Sequence, residues 1–176
     1  MRELADVERI DRFLVALAQV ISEPTTVYLV GGATAVLVGW RGTTRDIDMV
    51  VRPESDALLR AIPRLKEQLA INVELAAPDH FVPVPPGWEE RSPVVRRIGL
   101  LTVCHYDLTA QALAKLERGH ARDLDDVRAM LAARLISPDG LREAFEQAAS
   151  QLYRYPAVDP DSYRAALDAF LAEAGQ

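Results

Sequence analysis

From Val27 to Leu75 the chain alternates short apolar segments with helix-forming ones, and that order limits the folds open to it. Val27-Tyr-Leu-Val30 is an apolar strand that runs straight into Gly31-Gly32. Ala33 to Trp40, rich in Ala, Leu and Val, reads as a short buried helix. A loop, Arg41 to Arg45, leads into a second strand, Asp46-Ile-Asp-Met-Val-Val51. Pro53 and Glu54 open a helix to about Ala70 that Pro63 can kink, and Ile71-Asn-Val-Glu-Leu75 is a third strand. Strands interleaved with helices imply a sheet with helices packed on it, an α/β (α+β) domain.

The flanks extend this core. Leu4, Val7, Ile10, Leu14, Leu17 and Ile21 recur at three- and four-residue steps, which predicts an amphipathic helix ending before Pro24. Residues 77–93 hold five prolines and no usable period, so they read as a long loop of the kind that is functional or mobile. Val94 to Tyr106 predicts strands that turn near Gly99. Helices follow at Leu108–Arg118, Ala121–Leu135, Pro138–Tyr153 and Asp161–Ala174. The expected division is a core over 1–106 and a helical bundle over 107–176.

Composition narrows the function. A net charge of -6 argues against a non-specific nucleic-acid binder, though not against a local basic patch. Apolar runs are far shorter than the roughly 20 residues of a membrane span, so no membrane partner is expected. The charged amphipathic start is wrong for a secretory signal, and the single cysteine, Cys104, has no internal disulfide partner. A cytoplasmic location is the expectation.

Asp46 and Asp48 carry the sharpest chemical signal. Alternation along a strand points both to one face, roughly 7 Å apart at Cα from about 3.3 Å of rise per residue. Such a pair is either solvated at a strand end or relieved by a divalent cation, whose preferred ligands are carboxylate oxygens. Glu74 sits between Val73 and Leu75 in the third strand and completes a three-carboxylate cluster if that strand lies beside the second. The alternative leaves Glu74 on the solvated face of an edge strand, with Asp79 as a reserve ligand. A three-carboxylate cluster suits two metal ions that steady the oxygens of a phosphoryl transfer. Gly31 and Gly32 open a helix whose backbone N–H groups can approach a phosphate, with Thr34 as a hydroxyl donor; the same turn can also be purely steric.

The run VGGATAVLVGWRGTTRDIDMVV, followed by Val73-Glu-Leu75, resembles the signature of nucleotidyltransferases of the DNA polymerase β-like superfamily. Gly31 and Gly32 match its first element, Asp46 and Asp48 its carboxylate pair, and Glu74 its third carboxylate. The resemblance implies a mixed sheet flanked by helices with a C-terminal helical bundle. It also implies Mg²⁺ or Mn²⁺ held by Asp46, Asp48 and Glu74, and an NTP whose triphosphate faces Gly31 and Gly32; Thr34 and Arg45 are further candidates for nucleotide contact. Glu74 would help activate an acceptor hydroxyl.

A narrower similarity is to small bacterial nucleotidyltransferase-like proteins of the abortive-infection type, found in toxin–antitoxin systems. Thr44-Arg-Asp-Ile-Asp48, Lys115-Leu116 and Arg122-Asp-Leu-Asp-Asp126 match their conserved-type elements, while Gly42 stands where a basic residue is usual. That similarity implies a catalytic role for Lys115, nucleotide contacts from Arg122 and Asp126, and an antitoxin or other protein partner. For the acceptor it suggests a tRNA 3′ end, with a protein hydroxyl or a small molecule such as an aminoglycoside as alternatives.

The helical residues also have a plain reading. A core stripe of Leu124, Val127, Leu131 and Leu135 would place Arg122 and Asp126 on the opposite, solvated side, as a surface pair worth a few tenths of a kcal/mol. Arg91, Arg96, Arg97, Arg118 and Arg122 are expected to supply a basic rim for RNA. The competing class is a non-catalytic protein that keeps this fold to bind a partner.

Overall fold

The structure, a computed structural model, describes residues 3–174. The chain forms two compact units. One comprises the residues up to Ala77 with Ser92–Tyr106; the other comprises Pro78–Arg91 and everything from Asp107 onward.

The first unit is a mixed sheet with helices. In chain order its elements are α1 (Val7–Ala18), β1 (Thr25–Val30), α2 (Gly31–Val38), β2 (Asp46–Arg52), α3 (Asp56–Gln68) and β3 (Asn72–Leu75). The second unit contributes the single turn α4 (Trp88–Arg91) before the chain returns as β4 (Val94–Ile98) and β5 (Leu101–His105). The five strands lie in the order β3-β2-β1-β5-β4. β1 runs antiparallel to β2 and parallel to β5, while β3 runs parallel to β2. The β4–β5 pair is the expected hairpin.

One sheet face is apolar. Leu29 of β1 and Ile47, Met49 and Val51 of β2 pack into a single core with Phe13, Leu14 and Leu17 of α1 and Leu58 of α3. Burial of such side chains, each worth about 1.5–3 kcal/mol, makes this face the structural one. Alternation then sends Asp46 and Asp48 to the opposite face, where both are half-buried.

Caps set the helix bounds more tightly than periodicity does. α1 starts at Val7 because Asp6 accepts a hydrogen bond from the Arg9 amide at 2.9 Å. Leu4, expected inside this helix, lies ahead of the cap and is exposed. Its neighbour Ala5 forms a β-bridge with Thr44 instead. α3 likewise starts after Ser55, whose hydroxyl accepts from the Leu58 amide.

The second unit is helical: α5 (Leu108–Arg118), α6 (Ala121–Ala132), α7 (Pro138–Ala149) and α8 (Pro160–Ala174). Gly119 ends α5 in the left-handed conformation at φ 65°, which a residue bearing Cβ adopts only at a cost. Phe145 of α7 and Tyr163 of α8 meet edge to face at 4.9 Å between ring centres. The proline-rich stretch is ordered by its own bonds rather than a period. Arg91 pairs with the buried carboxylate of Asp107, and the Tyr155 hydroxyl donates to the Asp79 carbonyl at 2.9 Å. Short helical turns at Pro78–His80 and Trp88–Arg91 replace the featureless loop expected there. No helix among the described residues is long and apolar enough to cross a membrane.

Candidate functional site

Three elements of the first unit meet at one edge of the polar sheet face. β1 ends at Val30, which lies opposite Asp48 of β2, and α2 begins at the next residue. Gly31 has φ 57°, and a Cβ added to it would lie 3.4 Å from Asp48 Oδ2. The carboxylate of Asp48 therefore stands against the first turn of α2, the positive end of that helix dipole. α2 has no side-chain cap, because its capping position is Val30.

Gly32 is required for a different reason. A Cβ there would overlap Thr44 Oγ1 and come within 2.8 Å of Thr44 Cβ. Thr44 is buried, and its hydroxyl donates to the Asp46 carbonyl at 3.0 Å. The loop before β2 is thereby locked beneath the first turn of α2, which positions the start of the carboxylate strand.

The third strand lies beside the carboxylate strand. β3 pairs with β2 in parallel register, with Asp46 opposite Asn72 and Asp48 opposite Glu74. Four polar side chains thus share one face. Asn72 Nδ2 donates to Asp46 Oδ1 at 2.5 Å and to Glu74 Oε1 at 2.9 Å. Asn72 is the residue sequence reasoning missed; its signal was the Asn-Val-Glu spacing, which puts Asn72 and Glu74 on the same strand face.

Thr34 is fully buried, and its hydroxyl donates to the Leu29 carbonyl at 2.9 Å, tying α2 back to β1. His105 Nδ1 lies 3.2 Å from the same oxygen. Since that hydroxyl's proton goes to Leu29, the geometry suits an Nδ1–H donor and a neutral ring. Burial holds the His105 pKa down at about 4. Burial also raises the Cys104 thiol, which makes it a poor nucleophile. Arg45, in the bend that immediately precedes β2, is exposed.

The remaining candidates belong to the second unit. Lys115 is buried on α5 and its Nζ reaches Asp123 at 3.0 Å and Asp126 at 2.6 Å on α6. Asp126 is only 2% exposed, which corrects the helical-wheel expectation of a solvated side. The buried stripe of α6 is Asp123, Asp126, Val127 and Met130, because Lys115 neutralises the two carboxylates from within. Leu135, expected in the stripe, lies beyond the helix and is exposed. Arg122 is exposed on α6. Three arginines of the expected basic rim are paired within their own units: Arg91 with Asp107, Arg96 with Asp11, and Arg118 with Asp123.

Asp46, Asp48 and Glu74 offer hard oxygen donors suited to Mg²⁺ or Mn²⁺, and the missing side chain of Gly31 leaves space beside Asp48. The donor chemistry fits such a cation. Among the described residues, however, no three Asp, Glu, His or Cys side chains converge as one ligand set, so the fit rests on the Asp46–Asp48 pair. A protein-family model described as a nucleotidyltransferase of unknown function (DUF6036) matches residues 6–166, which spans both units. No curated protein and no solved structure matches the chain.

Proposed function

The chain belongs to this nucleotidyltransferase family, and from that premise we propose that it transfers NMP from an NTP to a hydroxyl acceptor in a metal-dependent reaction at Asp46 and Asp48. The observation that carries this reading is the placement of the Asp48 carboxylate against the first turn of α2. A phosphate-binding helix end and a metal-binding carboxylate then act on the same triphosphate. Mg²⁺ or Mn²⁺, when bound, supplies positive charge to the phosphoryl oxygens.

The chain's own groups have separate tasks. Gly31 lets the triphosphate approach the backbone of α2, Gly32 holds that turn against Thr44, and Thr34 fixes its pitch by anchoring it to Leu29. Asp46 and Asp48 hold the cation, while Glu74 accepts the proton of the attacking hydroxyl. Arg45 borders the site as a counter-charge. Lys115, through its bonds to Asp123 and Asp126, holds α5 against α6, and Arg122 is an exposed basic group on α6.

For the acceptor we favour an RNA 3′ end, specifically that of tRNA. Arg97 and Arg122 are each exposed to solvent in their own unit and offer phosphate contacts there, while Arg91, Arg96 and Arg118 pair with carboxylates. The test is transfer of label from α-labelled NTPs to tRNA across a salt series. Labelling should fall steeply with salt and drop on Arg97→Ala. Labelled protein with unlabelled RNA would move the acceptor and leave nucleotidyl transfer in place. The exposed position of Glu74 favours a second reading, a non-catalytic binding protein that keeps the fold. Nucleotide binding without turnover on any acceptor would establish it.

A further inference from the structure

We propose that Asn72 is a positioning residue that sets the cation affinity of the Asp46–Asp48 pair. This rests on the metal-dependent reading above and extends it to a residue outside the carboxylate motif.

The geometry is specific. Asn72 is the in-register partner of Asp46 across the β2–β3 ladder and lies on the same strand face as Glu74. Its amide nitrogen has two N–H groups, and each is directed at a different carboxylate, Asp46 at 2.5 Å and Glu74 at 2.9 Å. Both acceptors are anionic, so the nitrogen rather than the oxygen of the amide must face them. No other uncharged side chain of this size could bridge the two: Ser or Thr has one proton, and Leu has none.

Two consequences follow for a cation. The bridge fixes the rotamer of Asp46 before the cation arrives, so little side-chain freedom remains to be lost on binding. It also spaces Glu74 from Asp46 without adding charge, which keeps the full anionic attraction of the set. A ligating carboxylate oriented by an outer hydrogen bond typically loses 10–100-fold in metal affinity when that bond is removed. Asp48 has a different neighbour, the first turn of α2, and so keeps its place when Asn72 is changed.

The experiment is a titration of the full chain with Mn²⁺ alone, followed by the paramagnetic signal of the free ion, with folding checked by circular dichroism. The variants are Asn72→Leu, which keeps the branched shape and removes the donors, and Asn72→Gln, which keeps the donors on a longer stem. Asn72→Leu should weaken Mn²⁺ binding by about 10–100-fold in folded protein, with part of the loss recovered in Asn72→Gln. A purely structural role would lower stability and leave the affinity of the folded protein unchanged. Equal Mn²⁺ affinity in wild type and Asn72→Leu, with binding abolished by Asp46→Asn plus Asp48→Asn, overturns the role of Asn72 while the metal site stands. If wild type binds no Mn²⁺, both the role of Asn72 and the metal-dependent reading are overturned.

Discussion

Thr44 fills the space that a side chain on Gly32 would need, with its Cβ 2.8 Å from where the Gly32 Cβ would be. The contact joins the loop before β2 to the helix that starts beside Asp48, so the Gly31-Gly32 turn and the carboxylate strand are held together by packing. Gly32→Ala should therefore destabilise the protein by about 1–3 kcal/mol, the usual range for overpacking. In a Thr44→Gly background the same change should cost less than half as much. Urea unfolding of the four proteins measures that coupling; additive effects would mean the overlap relaxes elsewhere.

The Lys115 cluster gives the largest expected loss of stability. Lys115→Met leaves Asp126, which is 2% exposed, without its cation, and breaking a buried pair in this way costs about 3–5 kcal/mol. Adding Asp126→Asn should recover part of the loss, because the uncompensated charge goes with it. Arg118 still pairs with Asp123 at 2.9 Å, so that carboxylate needs no second change. Equilibrium unfolding of the single and double variants tests the cluster. Equal stability of Lys115→Met and wild type would show that the pair contributes nothing.

His105 predicts a pH dependence. Its folded pKa is lowered by burial to about 4 from 6.5, so between those values the unfolded chain binds a proton that the native protein does not. Stability from this group is complete above about pH 6.5 and is lost as pH falls toward 4. Between pH 7 and pH 5 the loss should be about 2 kcal/mol. His105→Gln should remove that increment, leaving the slope due to carboxylates. Unfolding free energies at the two pH values give the difference directly, and parallel profiles for variant and wild type would contradict it.

Ligand linkage tests the carboxylate pair without turnover. Mg²⁺ with NTP should raise the melting temperature, since a ligand that binds only the native state stabilises it by mass action. Asp46→Asn plus Asp48→Asn should abolish the shift. Without ligand the double variant should melt no lower than wild type, because the two neighbouring like charges are gone. Scanning fluorimetry with and without Mg²⁺ and each NTP reads both effects; a full shift in the double variant would remove these aspartates from the metal site.

Much of the first unit was legible because its signals are periodic. Asp46 and Asp48 are two residues apart in a strand whose other face is Ile47 and Met49, so burial of one pair dictates the exposure of the other. Gly31-Gly32 marked the strand-to-helix turn, and the Asn-Val-Glu strand arrived beside β2 in the register that puts Glu74 opposite Asp48. α6 was misread because a hydrophobic stripe assigns charge to solvent, whereas Lys115 of α5 makes an inward Asp126 affordable. That compensation comes from another helix and has no local signature. Asn72 was passed over because an uncharged amide in a strand becomes informative only when its cross-strand neighbours are known. The 77–93 stretch carries no period, and its order comes from Asp107 and Tyr155, far along the chain.

The most direct test of nucleotidyl transfer at Asp46 and Asp48 follows the α-phosphate. Wild-type protein and the Asp46→Asn plus Asp48→Asn variant are incubated with each α-labelled NTP, Mg²⁺ and an acceptor pool of tRNA, protein and small hydroxyl compounds. Pyrophosphate release is measured in the same tubes. The expected result is label on one acceptor, with equimolar pyrophosphate, in wild type with Mg²⁺ and neither product in the variant or in chelator. Label and pyrophosphate at wild-type levels in the double variant, or neither with any NTP and acceptor in wild type, would contradict the assignment.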